Sequence, residues 1–179
     1  MTAPSPRHAA LLLALLGVLW CALIVAPPFL ASAGLDAGAA MVRFLFAPVC
    51  HQIPERSFHI LGSPLPVCAR CAGIYGGALL AFILAAAGVR ARAAIRGTAS
   101  FLAAAAVPSL ATWILAGAGL ISDAAVVRAV AGAVLGAAVG ACLVPALEAL
   151  CAEIALHRSS PRALLNRPAG PSQSLTTGG

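Results

Sequence analysis

Four apolar stretches dominate this chain, and each is long enough to cross a lipid bilayer. A membrane-spanning helix needs about 20 apolar residues, with roughly 17 to 25 as the working range. We predict such helices at residues 9–26, 72–89, 99–121 and 124–150. Only 9% of the residues are charged, whereas a soluble domain carries about 25%. Lipid is therefore the main solvent, and the predicted fold class is an all-α, polytopic membrane helical bundle.

Proline and chain length set further limits on these helices. Pro27 and Pro28 are predicted to end the first helix, because proline lacks a backbone donor and clashes with the preceding turn. Pro108 is predicted to kink the third helix for the same reason. Residues 36–47 are apolar but too short to span, so we expect them to lie along the membrane interface or dip into it.

These features divide the chain into four predicted regions. They are an N-terminal transmembrane helix (1–33), an outer loop with the interfacial segment and a cysteine motif (34–71), a three-helix transmembrane region (72–155) and a disordered cytoplasmic tail rich in Pro, Ser, Gly and Arg (156–179).

The distribution of arginine predicts the orientation, because cytoplasmic ends of spanning helices carry an excess of positive charge. Seven arginines fall in three regions that would lie on one side: Arg7, Arg90, Arg92, Arg96, Arg158, Arg162 and Arg167. Four fall towards the other side: Arg43, Arg56, Arg70 and Arg128. We therefore predict a multi-pass protein of the bacterial inner membrane, with both termini in the cytoplasm. Since the arginines cluster at the ends of apolar runs, the net charge of +6 does not indicate nucleic-acid binding.

An alternative concerns the first helix. Arg7, the apolar run and the small residues 31–33 together resemble a secretory signal with a cleavage site. Cleavage would leave three spans, and the cysteine motif would still lie outside.

Chemistry is concentrated in the outer loop, which contains Cys50 and the pair Cys68 and Cys71. The pair immediately precedes the second predicted helix, where unsatisfied amides stabilise anions. Arg70 adds a full positive charge, so the thiolate form should be favoured. The loop between Cys50 and Cys68 contains Gly62 and several prolines and is long enough to fold back, so the three sulfurs can meet.

The first hypothesis is a metal site, with zinc or another transition metal as the cofactor. Zinc favours tetrahedral sulfur and nitrogen ligands, and a two-residue gap between ligand cysteines is common. The predicted ligands are Cys50, His51, His59, Cys68 and Cys71, with His59 the easier fourth ligand because His51 directly follows Cys50. Nearby polar residues could surround the site or contribute a ligand: Gln52, Arg56, Ser57 and Arg70.

Two other hypotheses stay open, so the residues do not decide whether the protein is an enzyme. In a membrane thiol–disulfide oxidoreductase, Cys68 and Cys71 would form the active pair and Cys50 would relay. In a non-catalytic membrane scaffold, a disulfide or buried thiols would only hold the loop. No catalytic residue can be assigned from the sequence.

Glycine recurs every four residues in the fourth predicted helix, at Gly132, Gly136 and Gly140. Gly73 and Gly77 have the same spacing in the second. Small residues let helices approach closely in lipid, so these stripes predict packing faces. The triple stripe could serve the internal bundle or a homo-oligomer equally well.

The cysteine motif resembles a prokaryotic family of membrane proteins catalogued as a domain of unknown function (number 2085). The resemblance rests on three segments: residues 50–52, residues 54–58, and residues 66–77 with the sequence Pro-Val-Cys-Ala-Arg-Cys-Ala-Gly-Ile-Tyr-Gly-Gly. A weaker similarity continues through Pro108, Arg128, Gly132 and Gly136. The resemblance implies an integral membrane protein and supports the site, but it implies no activity.

Overall fold

The computed structural model of the protein describes residues 6–89, 98–121 and 124–165. The elements in chain order are α1 (Pro6–Ser32), α2 (Asp36–Phe46), a 3₁₀ helix (Pro54–Arg56), β1 (Ser57–Ile60), β2 (Ser63–Cys68), α3 (Ala69–Ala86), α4 (Thr98–Gly117) and α5 (Ala125–Leu165). Four helices, α1, α3, α4 and α5, are long and apolar enough to cross a membrane. The predicted all-α membrane bundle is confirmed, with one small two-stranded sheet added to it.

The predicted end of the first helix at Pro27 and Pro28 was wrong. The helix continues to Ser32 with both prolines inside it, and both are fully buried. Proline removes one backbone donor and does not forbid helical φ, and neighbouring packing makes it tolerable in membrane helices.

The other predicted spans differ from the observed helices at their ends. α3 begins at Ala69 rather than at residue 72, so Cys71 lies in its first turn. α4 ends at Gly117 and contains Pro108. α5 continues to Leu165 rather than ending at residue 150, so it includes residues 156–165 of the predicted tail. The arginines at 90, 92, 96 and 167, and most of the predicted tail, lie outside the described residues.

The glycine stripes bring α3 and α5 into direct backbone contact, which we call the α3–α5 seam. A β-carbon added at Gly73 or Gly77 would collide with the backbone of Ala129 or Ala133 on α5. From the other side, a β-carbon at Gly136 would collide with the backbone of Ile74. The triple stripe therefore serves the internal bundle. A homo-oligomer stays a prediction, and it would need another surface.

Residues 36–68 form a small unit, which we call the cap, over the end of the bundle where α3 begins. Its two strands pair antiparallel, with Ile60 opposite Ser63. Leu61 and Gly62 connect them with φ angles of 52° and 75°. Two positive φ angles define a type I′ turn, whose twist matches that of the strands. The turn at Gly62 follows the predicted fold-back, but strands on either side of it were not predicted.

The cap has its own apolar core, built on the end of α1. Phe46 from α2 and Val67 from β2 are fully buried against Ile24 of α1. Cys50 belongs to the same cluster and is 8% exposed. The outer side of α2 is apolar and open, with Met41 and Phe44 exposed, as expected for a helix at a membrane interface.

Candidate metal centre

The three loop cysteines come together at the junction of the cap and the bundle. The sulfur atoms of Cys50, Cys68 and Cys71 all lie within 4.8 Å of one another. All three are free thiols. The sequence predicted that these three sulfurs could meet, and in the structure they do.

Cys50 reaches the cluster because the chain turns directly after α2. The backbone N–H groups of Val49 and Cys50 both donate to the carbonyl of Phe46, at 3.1 Å. Phe46 is itself anchored in the cap core. The side chain of Cys50 is thus directed inward, and its sulfur lies beside β2.

Cys68 and Cys71 are positioned by the start of α3. Cys68 is the N-cap residue, with extended backbone angles, and Cys71 lies in the first turn of the helix. This geometry places both sulfurs where free helical amides carry partial positive charge. The sequence predicted this placement correctly.

One backbone hydrogen bond joins the two parts of the site. The N–H of Cys68 donates to the sulfur of Cys50 at 3.2 Å. This hydrogen bond fixes the orientation of the Cys50 sulfur, as hydrogen bonds do for the ligands of protein metal sites.

The pKa of the Cys68 thiol is lowered from its ordinary value to about 5. The largest cause is a hydrogen bond from the side chain of Cys71. Burial opposes the change, while the backbone N–H groups of Cys71 and Arg70 and the side chain of Cys50 add to it. A thiolate at this position is therefore available at neutral pH, either as a metal ligand or as a nucleophile.

The structure does not bring either predicted histidine into this cluster. His51 directly follows Cys50 but is exposed, and His59 is exposed on β1. Within the described ranges, the group that could hold an ion consists of the three cysteines alone.

The predicted polar residues divide into two sets. The side-chain amide of Gln52 donates a hydrogen bond to the backbone carbonyl of Arg43 at 2.6 Å. The hydroxyl of Ser57, which is buried, donates to the carbonyl of Ile53 at 2.9 Å. Both hold the chain around the site in shape. Arg56 and Arg70, by contrast, line a cavity that also borders Cys68.

Arg43 is a positioning residue that sequence reasoning missed. Its guanidinium donates to the hydroxyl of Ser63 at 2.9 Å and to the carbonyl of Pro64 at 2.8 Å. It therefore ties α2 to the hairpin that carries Cys68. The only sequence feature that pointed to this role was a basic residue within the short apolar segment 36–47.

Aromatic side chains form the floor of the site. The ring of Trp20 packs edge-on against Phe46, with centroids 4.9 Å apart, and against Tyr75 at 5.7 Å. Cys71 packs against the same cluster. The three sulfurs consequently lie between this aromatic cluster on one side and the cavity that borders Cys68 on the other.

Four helices of membrane-spanning length, with three clustered thiols at one end, define a polytopic membrane protein with a candidate metal centre. The chain belongs to the family described as "Predicted membrane protein (DUF2085)", whose pattern matches residues 50–142. That match begins at the first cysteine of the centre and confirms the resemblance found in the sequence.

Two curated relatives are similar over short segments, and both are described as uncharacterized proteins. One, from Methanocaldococcus jannaschii, is 50% identical over 40 residues, which cover 22% of this chain and 26% of the relative. The other, from Methanothermobacter thermautotrophicus, is 49% identical over 45 residues, or 25% of this chain and 40% of the relative. The chain thus matches less than half the length of either relative. No solved structure matches the chain.

Proposed function

We propose that this protein is a metal-binding membrane protein in which Cys50, Cys68 and Cys71 bind a zinc-type ion. The carrying observation is the mutual approach of the three sulfurs to within 4.8 Å. Sulfurs around a tetrahedral zinc lie about 3.8 Å apart, because Zn–S bonds are about 2.3 Å long. A contraction of about 1 Å at most would therefore complete the coordination.

Three protein ligands would leave one position for a water or an exchangeable ligand. Structural zinc sites have four protein ligands, whereas sites that do chemistry keep one position open. Cys68 borders the cavity, so the open position would be reached from there. This favours a ligand-exchanging or catalytic centre over a purely structural one.

Metal analysis of the purified full-length protein tests this proposal. We expect about one zinc per chain, and Cys68→Ser should remove most of it. Cys142→Ser is the matched control, because Cys142 is a half-buried thiol of α5 outside the cluster. His51→Ala and His59→Ala should retain the metal. Metal-free protein with an intact Cys68–Cys71 disulfide would refute the proposal.

The lowered pKa of Cys68 favours a second candidate, thiol–disulfide exchange. A substrate dithiol would reduce a Cys68–Cys71 disulfide and become a disulfide itself. A membrane oxidant of the quinone class would then take up the two electrons and two protons, with Cys50 as the relay. Thiol counting before and after reduction separates this candidate from the metal site, since it requires a reversible disulfide.

For location, we propose the bacterial inner membrane with both termini in the cytoplasm and the cap outside. An even number of spans is compatible with termini on the same side, and the arginine distribution supports the direction. The tail from residue 156 would then lie in the cytoplasm. A reporter that is active only outside the cytoplasm should be active when it is inserted after Gly62. If the reporter indicates the cytoplasm instead, the proposed orientation is wrong.

A further inference from the structure

A cavity of about 440 Å³ lies beside the three-cysteine centre, where the first turns of α3 and α5 meet the last turns of α4. Its walls include the guanidinium-bearing residues Arg56, Arg70 and Arg128, together with Cys68. No Asp or Glu belongs to its lining in the part of the chain that the structure describes. The described lining therefore carries three cationic side chains, which suits an anionic ligand.

Arg70 gives the most direct indication of a missing partner. Its Nη2 donates a long hydrogen bond of 3.4 Å to the neutral hydroxyl of Thr112. Its Nε is buried and has no hydrogen-bond partner. A buried donor without an acceptor is costly, and a bound anion would satisfy it while also neutralising the charge.

Arg128 adds a second cation that is largely removed from water. It lies in the first turn of α5 and is 6% exposed. Arg128 and Arg70 both line the cavity, so an anion bound there would be attracted by both guanidinium groups.

The opposite wall is apolar and open to the side. Trp113 and Ile114 of α4 line the cavity and are 61% and 54% exposed. Because α4 is a spanning helix, these exposed surfaces face the region that lipid tails would occupy. An anionic group with an apolar tail would match both walls.

We propose that this cavity binds a phosphate group, carried by a lipid or free in solution, with Arg70 as its principal ligand. Guanidinium groups donate in pairs to the oxygens of phosphates, and a phosphate has enough oxygens to serve several guanidiniums at once. The phosphate would lie beside Cys68; only its contact with a bound metal rests on the proposed function.

The test measures the binding of two probes to full-length protein in detergent by calorimetry: short-chain phosphatidic acid and inorganic phosphate. Arg70→Gln should weaken phosphate binding about tenfold or more, because it removes a charge-assisted hydrogen bond. Arg7→Gln, at the other end of α1, is the matched control and should bind normally. Arg70→Lys, which keeps the charge, should recover part of the affinity. Elution volume and thermal unfolding, measured on the same samples, report whether each variant is folded.

The two probes distinguish the sources of the phosphate. Tighter binding of phosphatidic acid, reduced by Trp113→Ala, assigns the site to a lipid. Equal affinity for both probes, unaffected by Trp113→Ala, assigns it to a free phosphate. The inference is overturned if neither probe binds saturably, or if Arg70→Gln and Arg7→Gln change binding equally. Absence of zinc from wild-type protein that binds phosphate normally would instead refute the proposed function alone.

Discussion

Along the α3–α5 seam the backbone of one helix lies against that of the other, whereas in the cap large side chains fill the space between elements. The seam is built from glycines such as Gly77 and Gly136, whose missing β-carbons make room for carbonyl groups. The cap is built from Phe46 and Val67, which are fully buried, and from the hydrogen bonds of Arg43.

The difference follows from the solvent around each region. Within lipid, helices gain little from burying apolar side chains, so close backbone approach drives their association. At the membrane surface, water makes the burial of apolar area favourable, at roughly 25 cal/mol per Å². α3 takes part in both regions, because it packs in the seam and begins directly after Cys68, the last residue of the cap. The seam fixes the position of α3 and therefore of Cys71 in its first turn, while the cap positions Cys50.

The strongest way to break this arrangement is to fill the seam. Gly136→Leu should destabilise the bundle by more than about 3 kcal/mol, since the new side chain meets a backbone that cannot rotate away. Thermal unfolding in detergent, followed by size-exclusion chromatography, measures the loss. Gly76→Leu is the control, because a β-carbon at Gly76 meets nothing within 4 Å. Equal effects of the two variants would contradict the account of the seam.

A change at Cys71 should alter the chemistry of Cys68 without opening the seam. Cys71→Ala removes the hydrogen bond that contributes most to the lowered pKa of Cys68, so this pKa should rise. In metal-free wild-type protein, alkylation of Cys68 should be constant near neutral pH and decline only as the pH falls through about 5. In the variant, the decline should begin at a higher pH. Mass spectrometry of alkylated Cys68 across pH provides the measurement, with Cys142→Ala expected to leave the profile unchanged.

Loosening the cap alone should have a smaller effect. Arg43→Met keeps the apolar stem but removes two hydrogen bonds to the hairpin, which should cost roughly 1–2 kcal/mol. Hydrogen exchange should become faster in β1 and β2 and stay unchanged in α5. Faster exchange along α5 as well would mean that the cap and the seam are not separate. Arg7→Met controls for the loss of a charge.

The smallest expected effect is a gain in stability. Leu61 adopts a φ of 52°, which is unfavourable for a residue with a branched side chain and natural for asparagine. Leu61→Asn should therefore stabilise the hairpin by about 1 kcal/mol. The leucine is 65% exposed, so little packing is lost. Slower exchange in β1 and β2 would support this reading, and faster exchange would show that Leu61 contributes contacts outside the protein.

The spanning helices could be predicted because apolar length is a direct consequence of bilayer thickness. The apolar run that starts directly after Cys71 also predicted that Cys68 and Cys71 lie at a helix start, as observed. The end of α1 could not be predicted in this way. Pro27 and Pro28 are compatible with helix when neighbours bury them, and that burial depends on tertiary contacts.

The cap was harder to predict, because its strands contain Pro64 and Pro66, which usually argue against a sheet. A two-stranded hairpin tolerates them, since each strand has an unpaired edge. The histidines illustrate the opposite difficulty. His59 has suitable spacing for a ligand, but it is exposed on β1 and lies outside the sulfur cluster. Spacing along the chain does not determine the direction of a side chain.

The hydrogen bond from the N–H of Cys68 to the sulfur of Cys50 closes a ring of chain across 18 positions. Small folded units often depend on a cross-link such as a disulfide or a bound metal, and this hydrogen bond lies where such a cross-link would form. An ion held by the same sulfurs would make the closure permanent. Folding of the cap and binding of the metal would then be coupled.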